Sequence, residues 1–124
     1  MTKLTSLSEA VGTIPSGSHV ALSGFSIARC AMAFAREVIR RQIKGLTLSQ
    51  CVGGMDTDIL VGTGAADRLI YGGGSLDRFG FLAWVNAGIE NGTLTFIKPD
   101  GLCYGVTCWH VIEALHNRNT HLGD

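Results

Sequence analysis

The chain has 124 residues, 46% of them hydrophobic and 16% charged, with 17 glycines and only 2 prolines. A domain of this size can bury roughly two-thirds of its unfolded surface, so the expectation is an ordered core that needs no disulfide or metal staples. Ten basic and ten acidic side chains give a formal net charge of zero, which offers no general attraction for nucleic acid or an anionic membrane.

No apolar run reaches the about 18 residues that a bilayer-spanning helix needs. Lys3 is followed by a polar, Ser-rich stretch where a secretory leader would carry its apolar core, so the expectation is a cytoplasmic protein. Cys30, Cys51, Cys103 and Cys108 are irregularly spaced and are expected as reduced thiols. Asn91-Gly92-Thr93 has the form of a glycosylation sequon and serves equally well as a turn.

Ser6-Leu7-Ser8-Glu9 has the spacing of a capping box and predicts a short helix closed by Gly12, with Pro15-Ser16-Gly17 turning out of it. His19-Val20-Ala21-Leu22 predicts a strand that breaks at Ser23-Gly24. From Ala31 to Ile43, Met32, Ala35, Val38, Ile39, Gln42 and Ile43 fall at helical spacing. Arg36, Glu37, Arg40, Arg41 and Lys44 supply the wet face of that helix, and Gly45 is placed to cap it.

Leu46 to Val52 predicts a second strand ended by Gly53-Gly54, and Asp56-Thr57-Asp58 a capped start of a short helix through Val61. Arg68 to Tyr71 predicts a third strand, stopped by Gly72-Gly73-Gly74. Ser75 is placed to cap a helix from Leu76 to about Asn91. Leu94 to Ile97 predicts a fourth strand broken by Pro99-Asp100-Gly101, Leu102 to Leu115 a last helix, and residues 116–124 a polar tail. Short strands alternating with helices predict right-handed crossovers and a mainly parallel sheet. The expected fold is one three-layer α/β domain over residues 1–124.

Ser23-Gly24, Gly53-Gly54, Gly72-Gly73-Gly74 and Asp100-Gly101 each follow a predicted strand and precede a predicted helix. All four therefore fall on the carboxyl edge of the sheet, where helix N-termini and main-chain amides converge on ligands. Glycine lets a backbone approach a ligand closely, although strand-to-helix turns also use glycine for their own geometry. Gly62-Thr63-Gly64 lacks the third glycine of a dinucleotide fingerprint and precedes a strand, and there is no Gly-Lys-Ser/Thr loop, so nicotinamide and nucleoside-triphosphate chemistry fit poorly.

Cys103, Cys108, His110 and Glu113 do not share one helix face, so no metal is expected. No Gly-x-Ser-x-Gly elbow is present, which leaves Ser23, Ser26 and Ser75 as caps or ligand donors. His19, at a strand start, reads as packed or solvent-facing. Arg29, just after the first glycine turn, suits bidentate contact with a substrate carboxylate, or is a surface arginine at a helix start. Asp100 is placed to act as a base or to orient a ligand, and Pro-Asp-Gly is also an ordinary turn.

Several ordered blocks carry a resemblance: Gly17 to Phe25 followed by Arg29, then Leu46-Thr47-Leu48, Gly53 to Gly62, and Gly74-Ser75-Leu76. Together, over about Leu7 to Leu115, they resemble the A (alpha) subunit of family I CoA-transferases, nearest the glutaconate CoA-transferase branch. The resemblance implies the sugar-phosphate isomerase-like parallel-sheet fold and a hetero-oligomeric enzyme with acyl-CoA as substrate. A glutamate of the partner B subunit would carry the covalent CoA thioester. In the A subunit, Ser23-Gly24-Phe25, Arg29, Gly53, Gly54, Gly74 and Ser75 are then expected to line the acyl and carboxylate side of the pocket.

Ala31 stands where relatives commonly have proline, Asp100-Gly101 where many have Glu-Gly, and the chain stops where relatives continue, which reads as a truncated copy of the fold. Leu76, Phe79, Phe81, Leu82, Trp84, Val85 and Ile89 spread around most of the helix predicted there, as at a subunit interface or in ordinary core. Two other functions remain open on these residues: a subunit of a ring-opening CoA-thioester hydrolase on the same scaffold, and a noncatalytic assembly subunit.

Overall fold

A computed structural model describes residues 4–97. Ser6 caps the first helix, α1 (Leu7–Gly12), through the reciprocal capping box read from the sequence. Then follow β1 (His19–Phe25), α2 (Met32–Arg40), β2 (Leu46–Val52), α3 (Met55–Gly62), β3 (Ala66–Tyr71), a 3₁₀ turn at Asp77–Phe79, α4 (Ala83–Glu90) and β4 (Thr95–Ile97). The helix expected at Leu102–Leu115, the polar tail and Asp100 lie outside the described residues.

The strands pair in chain order, β1-β2-β3-β4, and every pair is parallel. Parallel neighbours joined in order by right-handed crossovers place their helices on a common face. Accordingly α1 packs on α2, α2 on α3 and α3 on α4. Leu22, Leu46, Leu48 and Leu69 of the strands meet Val11, Ala35, Val38, Leu60 and Val85 of the helices in the core beneath them. The α/β class and the parallel sheet are as the alternation of elements predicts. The described helices form one layer on that sheet.

On the opposite face the His19 ring shares a hydrogen bond with the hydroxyl of Ser49, which is fully buried. Desolvation lowers the His19 pKa from 6.5, so the folded chain resists a proton that the unfolded chain accepts. The stability from this group is complete above the unfolded value and drains away as pH falls through the lower folded value. Unfolding midpoints in urea between pH 5 and 7.5 will therefore fall on the acid side, and His19→Asn will flatten that part of the profile.

Several local expectations need correction. The second helix ends at Arg40 instead of Ile43, because Gln42 adopts φ +56 and breaks the helical path. Ile43 nonetheless reaches the core. Glu37, placed on the wet face by spacing, is buried and paired with Arg40 and with Arg41. Burial works against its charge, but the Arg41 hydrogen bond, the Ser8 hydroxyl and the two guanidinium charges prevail and hold its carboxyl below the usual range. Arg41 also donates to Ser8, which ties α2 to α1.

The long helix expected from Leu76 to Asn91 is divided. Asp77 and Gly80 take left-handed backbone angles, φ +54 and +108, and only the 3₁₀ turn forms between them. The α4 helix starts at Ala83, where one carboxylate oxygen of Asp58 accepts the Trp84 and Val85 N–H groups, both at 2.9 Å. Asp58 thus caps α4 from α3, while α3 itself begins at Gly54 with no side-chain cap. As a result Leu82 and Val85 are buried, but Phe79, Phe81 and Trp84 stand exposed at 68%, 77% and 59%.

Candidate functional site

The carboxyl ends of β1, β2 and β3 meet at one rim. β1 continues through Ser23-Gly24, where the sequence suggests a break, because the β1–β2 register shifts between Leu22 and Phe25: β1 takes three steps there to two on β2 and so absorbs one extra residue. Gly24 is required there. It has φ +105, and a Cβ would lie 2.8 Å from the Arg29 carbonyl oxygen. Phe25 and Ala28 then exchange backbone hydrogen bonds of 2.9 and 2.8 Å, which leaves Ser26 and Ile27 at the tip of a tight two-residue turn.

Ser26 occupies φ +56, an angle that costs a serine energy and persists only where its surroundings hold it. Its hydroxyl donates to the Ser75 carbonyl at 2.8 Å, and its own carbonyl accepts from the Cys30 thiol at 3.0 Å. The second loop is fixed from below: Gly53 N–H donates to the Gly73 carbonyl at 2.8 Å, and Ser75 N–H to the Gly53 carbonyl at 3.3 Å. The Ser75 hydroxyl accepts from Asp77 N–H at 3.2 Å, so Ser75 shapes the following turn and does not cap a long helix.

Beneath both loops lies a buried polar cluster. The Gln50 side-chain amide donates to the Ser23 carbonyl at 3.1 Å and faces both carboxylate oxygens of Asp56, while its oxygen accepts from the Thr57 hydroxyl. Asp56, with no exposed surface, accepts the Ala31 N–H at 3.0 Å. Its other oxygen accepts the Thr57 N–H at 2.9 Å, so Asp56 serves the start of α2 as well as the first turn of its own helix. A proline at position 31 has no N–H to give it, so the alanine there supplies a bond that its replacement would lose.

Between the loops is a cavity of about 400 Å³ whose described lining is Phe25, Ser26, Ile27, Ala28, Val52, Gly74, Ser75 and Asp77. That volume lies in the range of small-molecule sites. Of the residues expected to bind substrate, Phe25, Gly74 and Ser75 lie in this lining. Gly24, Gly53 and Gly54 lie behind the lining as the close-packed floor of the loops, and Ser23 contributes its carbonyl to the Gln50 cluster. Arg29 is exposed and is not part of the described lining.

Ile27, Ala28, Val52 and Asp77 were missed by sequence reasoning, and Ser26 was weighed only as a general donor. A visible signal did exist for Gln50: an amide amid the apolar run Leu46 to Val52 asks for a buried partner. Chemically, the lining joins an apolar wall to hydroxyls and one carboxylate, which suits a short acyl chain with a polar end. Among the described residues no group of three or more His, Cys, Asp or Glu side chains is arranged to hold a metal ion. The Cys103, Cys108, His110 and Glu113 set lies outside those residues.

A parallel α/β sheet with its glycine loops gathered around a small cavity at the strand ends defines an α/β protein of the open-sheet kind, a class in which that edge is where ligands bind. The sequence profile of the Coenzyme A transferase family matches residues 4–101, and the chain belongs to that family. It is 36% identical over 75 residues, 60% of its length, to the cholesterol ring-cleaving hydrolase IpdA subunit of Mycobacterium tuberculosis, in strains CDC 1551 / Oshkosh and ATCC 25618 / H37Rv. The match covers 25% of that relative. Among solved structures it is similar to a chain of a variant of the decarboxylase AibA/AibB, with a TM-score of 0.70 and 30% identity over 74% of this chain and 36% of the other. The chain thus spans about a quarter to a third of the length of these relatives.

Proposed function

We propose that the chain provides the A-subunit side of a cytoplasmic enzyme that moves CoA from an acyl-CoA to a small carboxylic or dicarboxylic acid. The observation that carries the reading is the cavity between the Phe25–Ala28 and Gly74–Asp77 loops in a chain of this family. It has room for a short acyl group, and its described lining holds no glutamate. As the resemblance to family I CoA-transferases implies, the nucleophile is a glutamate of a partner B subunit. Its carboxylate attacks the thioester carbonyl and expels CoA thiolate, leaving a mixed anhydride. The thiolate attacks the glutamyl carbonyl, releases the first acid as a carboxylate and leaves a glutamyl-CoA thioester, which the acceptor acid reverses in turn. Asp100, one residue short of the matched segment's end, is a candidate to orient the reacting groups.

A second reading is favoured by the similarity to a ring-cleaving hydrolase subunit: water takes the place of the acceptor acid. The test is CoA exchange between a panel of acyl-CoAs and free carboxylates, with this chain alone and with the B subunit encoded beside it. Exchange that needs both chains and an acceptor acid is the expected result. Free CoA released without an acceptor would establish the hydrolase instead, and no turnover in any folded mixture would leave a noncatalytic assembly subunit.

A further inference from the structure

The two buried members of the described cavity lining are Ser26 and Val52, each 5% exposed, whereas Phe25, Ile27, Ala28 and Asp77 are exposed. The mouth therefore lies at the loop residues and the floor at Ser26 and Val52. The Ser26 hydroxyl is engaged by the Ser75 carbonyl, which leaves Val52 as the apolar part of that floor. Its placement follows from the strand. Alternate residues of β2 share a face, so Val52 lies on the side of Leu46, Leu48 and Gln50. It pairs with Phe25 in the β1–β2 ladder, two residues beyond the Gln50 amide that holds the Ser23 carbonyl. Val52 also differs from every other buried apolar residue described: the rest pack into one core cluster, and Val52 is outside it. It belongs to the cavity and not to the core.

We infer that Val52 is a specificity-determining residue that sets the length of acyl chain the cavity accepts. A chain entering at the mouth gains apolar contact with each methylene until its end meets the Val52 methyls. One carbon more has to displace a β-branched side chain that is stiff at χ1 and carried on a strand paired on both sides. The inference rests on the proposed acyl-CoA reading and deepens it by naming a substrate class: thioesters of short unbranched acids, with a sharp upper limit in length.

The test is calorimetric titration of straight-chain acyl-CoAs, from acetyl to octanoyl, into the full chain together with its partner subunit. Affinity should rise about fourfold with each added methylene and then fall beyond one length. Val52→Ala should move that limit about one carbon longer, and Val52→Ile about one carbon shorter. Val52→Thr keeps the shape and adds a hydroxyl, so it should weaken the longest accepted chain several-fold and leave the limit in place, a pattern that general loosening of the fold does not produce. A limit unmoved in both the Ala and Ile variants, or affinity that climbs through octanoyl without a limit, overturns the inference and leaves the acyl-CoA reading standing. Failure of every acyl-CoA to bind the unsubstituted complex overturns both.

Discussion

Replacing Gly54 with alanine will destabilise the fold by about 3 kcal/mol or more, at the upper end of what overpacking costs. An ideal Cβ at this position lies 1.8 Å from the Ser26 carbonyl oxygen, 2.9 Å from its carbon and 3.0 Å from the Cys30 sulfur. These are backbone atoms and a thiol already bonded to that carbonyl, so nothing flexible is available to move aside. Relief requires the whole β1 loop to lift from the start of α3, which would also open the cavity wall at Ser26. Gly73→Ala is the matched control. It lies on the same rim, has no positive φ, and its Cβ would meet nothing within 4 Å, so its effect should stay within roughly 0.5 kcal/mol. Chemical denaturation of both variants reads the difference, and equal midpoints would show that the β1 loop does not rest on Gly54.

The second large effect is expected at Asp56. Truncation to alanine takes the acceptor from the Ala31 N–H and leaves the Gln50 amide facing a void, with buried donors unpaired. Each such donor costs about 1–3 kcal/mol, so Asp56→Ala should lose roughly 3 kcal/mol. Asp56→Asn should lose less, because its oxygen still accepts one bond, although its NH₂ then opposes the donors already there. Both variants free the ends of the 23–31 loop, at the Ser23 carbonyl through Gln50 and at Ala31 directly. Amide hydrogen exchange should therefore rise at residues 26–31 before it rises in β2. A rise spread uniformly over the chain would mean that Asp56 supports the fold at large and not this loop.

These two positions mark where sequence reading stops. The strand Leu46–Val52 and the capping box at Ser6 and Glu9 were legible because their signals are local: a continuous apolar run between glycines and a fixed three-residue spacing. The same method gave Asp56 and Asp58 to their own helix, while in the fold Asp56 also holds the start of α2 and Asp58 caps α4, which are near only in space. The division of the helix expected from Leu76 to Asn91 has a related cause. Apolar spacing continues through Asp77 to Gly80, but their left-handed angles follow from the turn that Ser75 closes.

For the candidate site, glycine placement pointed to the sheet edge and to the loops at Phe25 and at Gly74-Ser75 that border the cavity. It did not separate residues that line the cavity from those that let the loops pack. Gly24, Gly53 and Gly54 serve the second purpose, and that distinction depends on which strand end lies above which. Asp77 was not singled out, because its neighbours suggest a helix that does not form there.

Acceptor-dependent CoA exchange bears most directly on the account, measured with the partner subunit present and this chain either included or left out. The account predicts that exchange requires this chain, requires a free carboxylate acceptor, and drops when Asp56 is replaced. Exchange by the partner subunit at the same rate without this chain would contradict it.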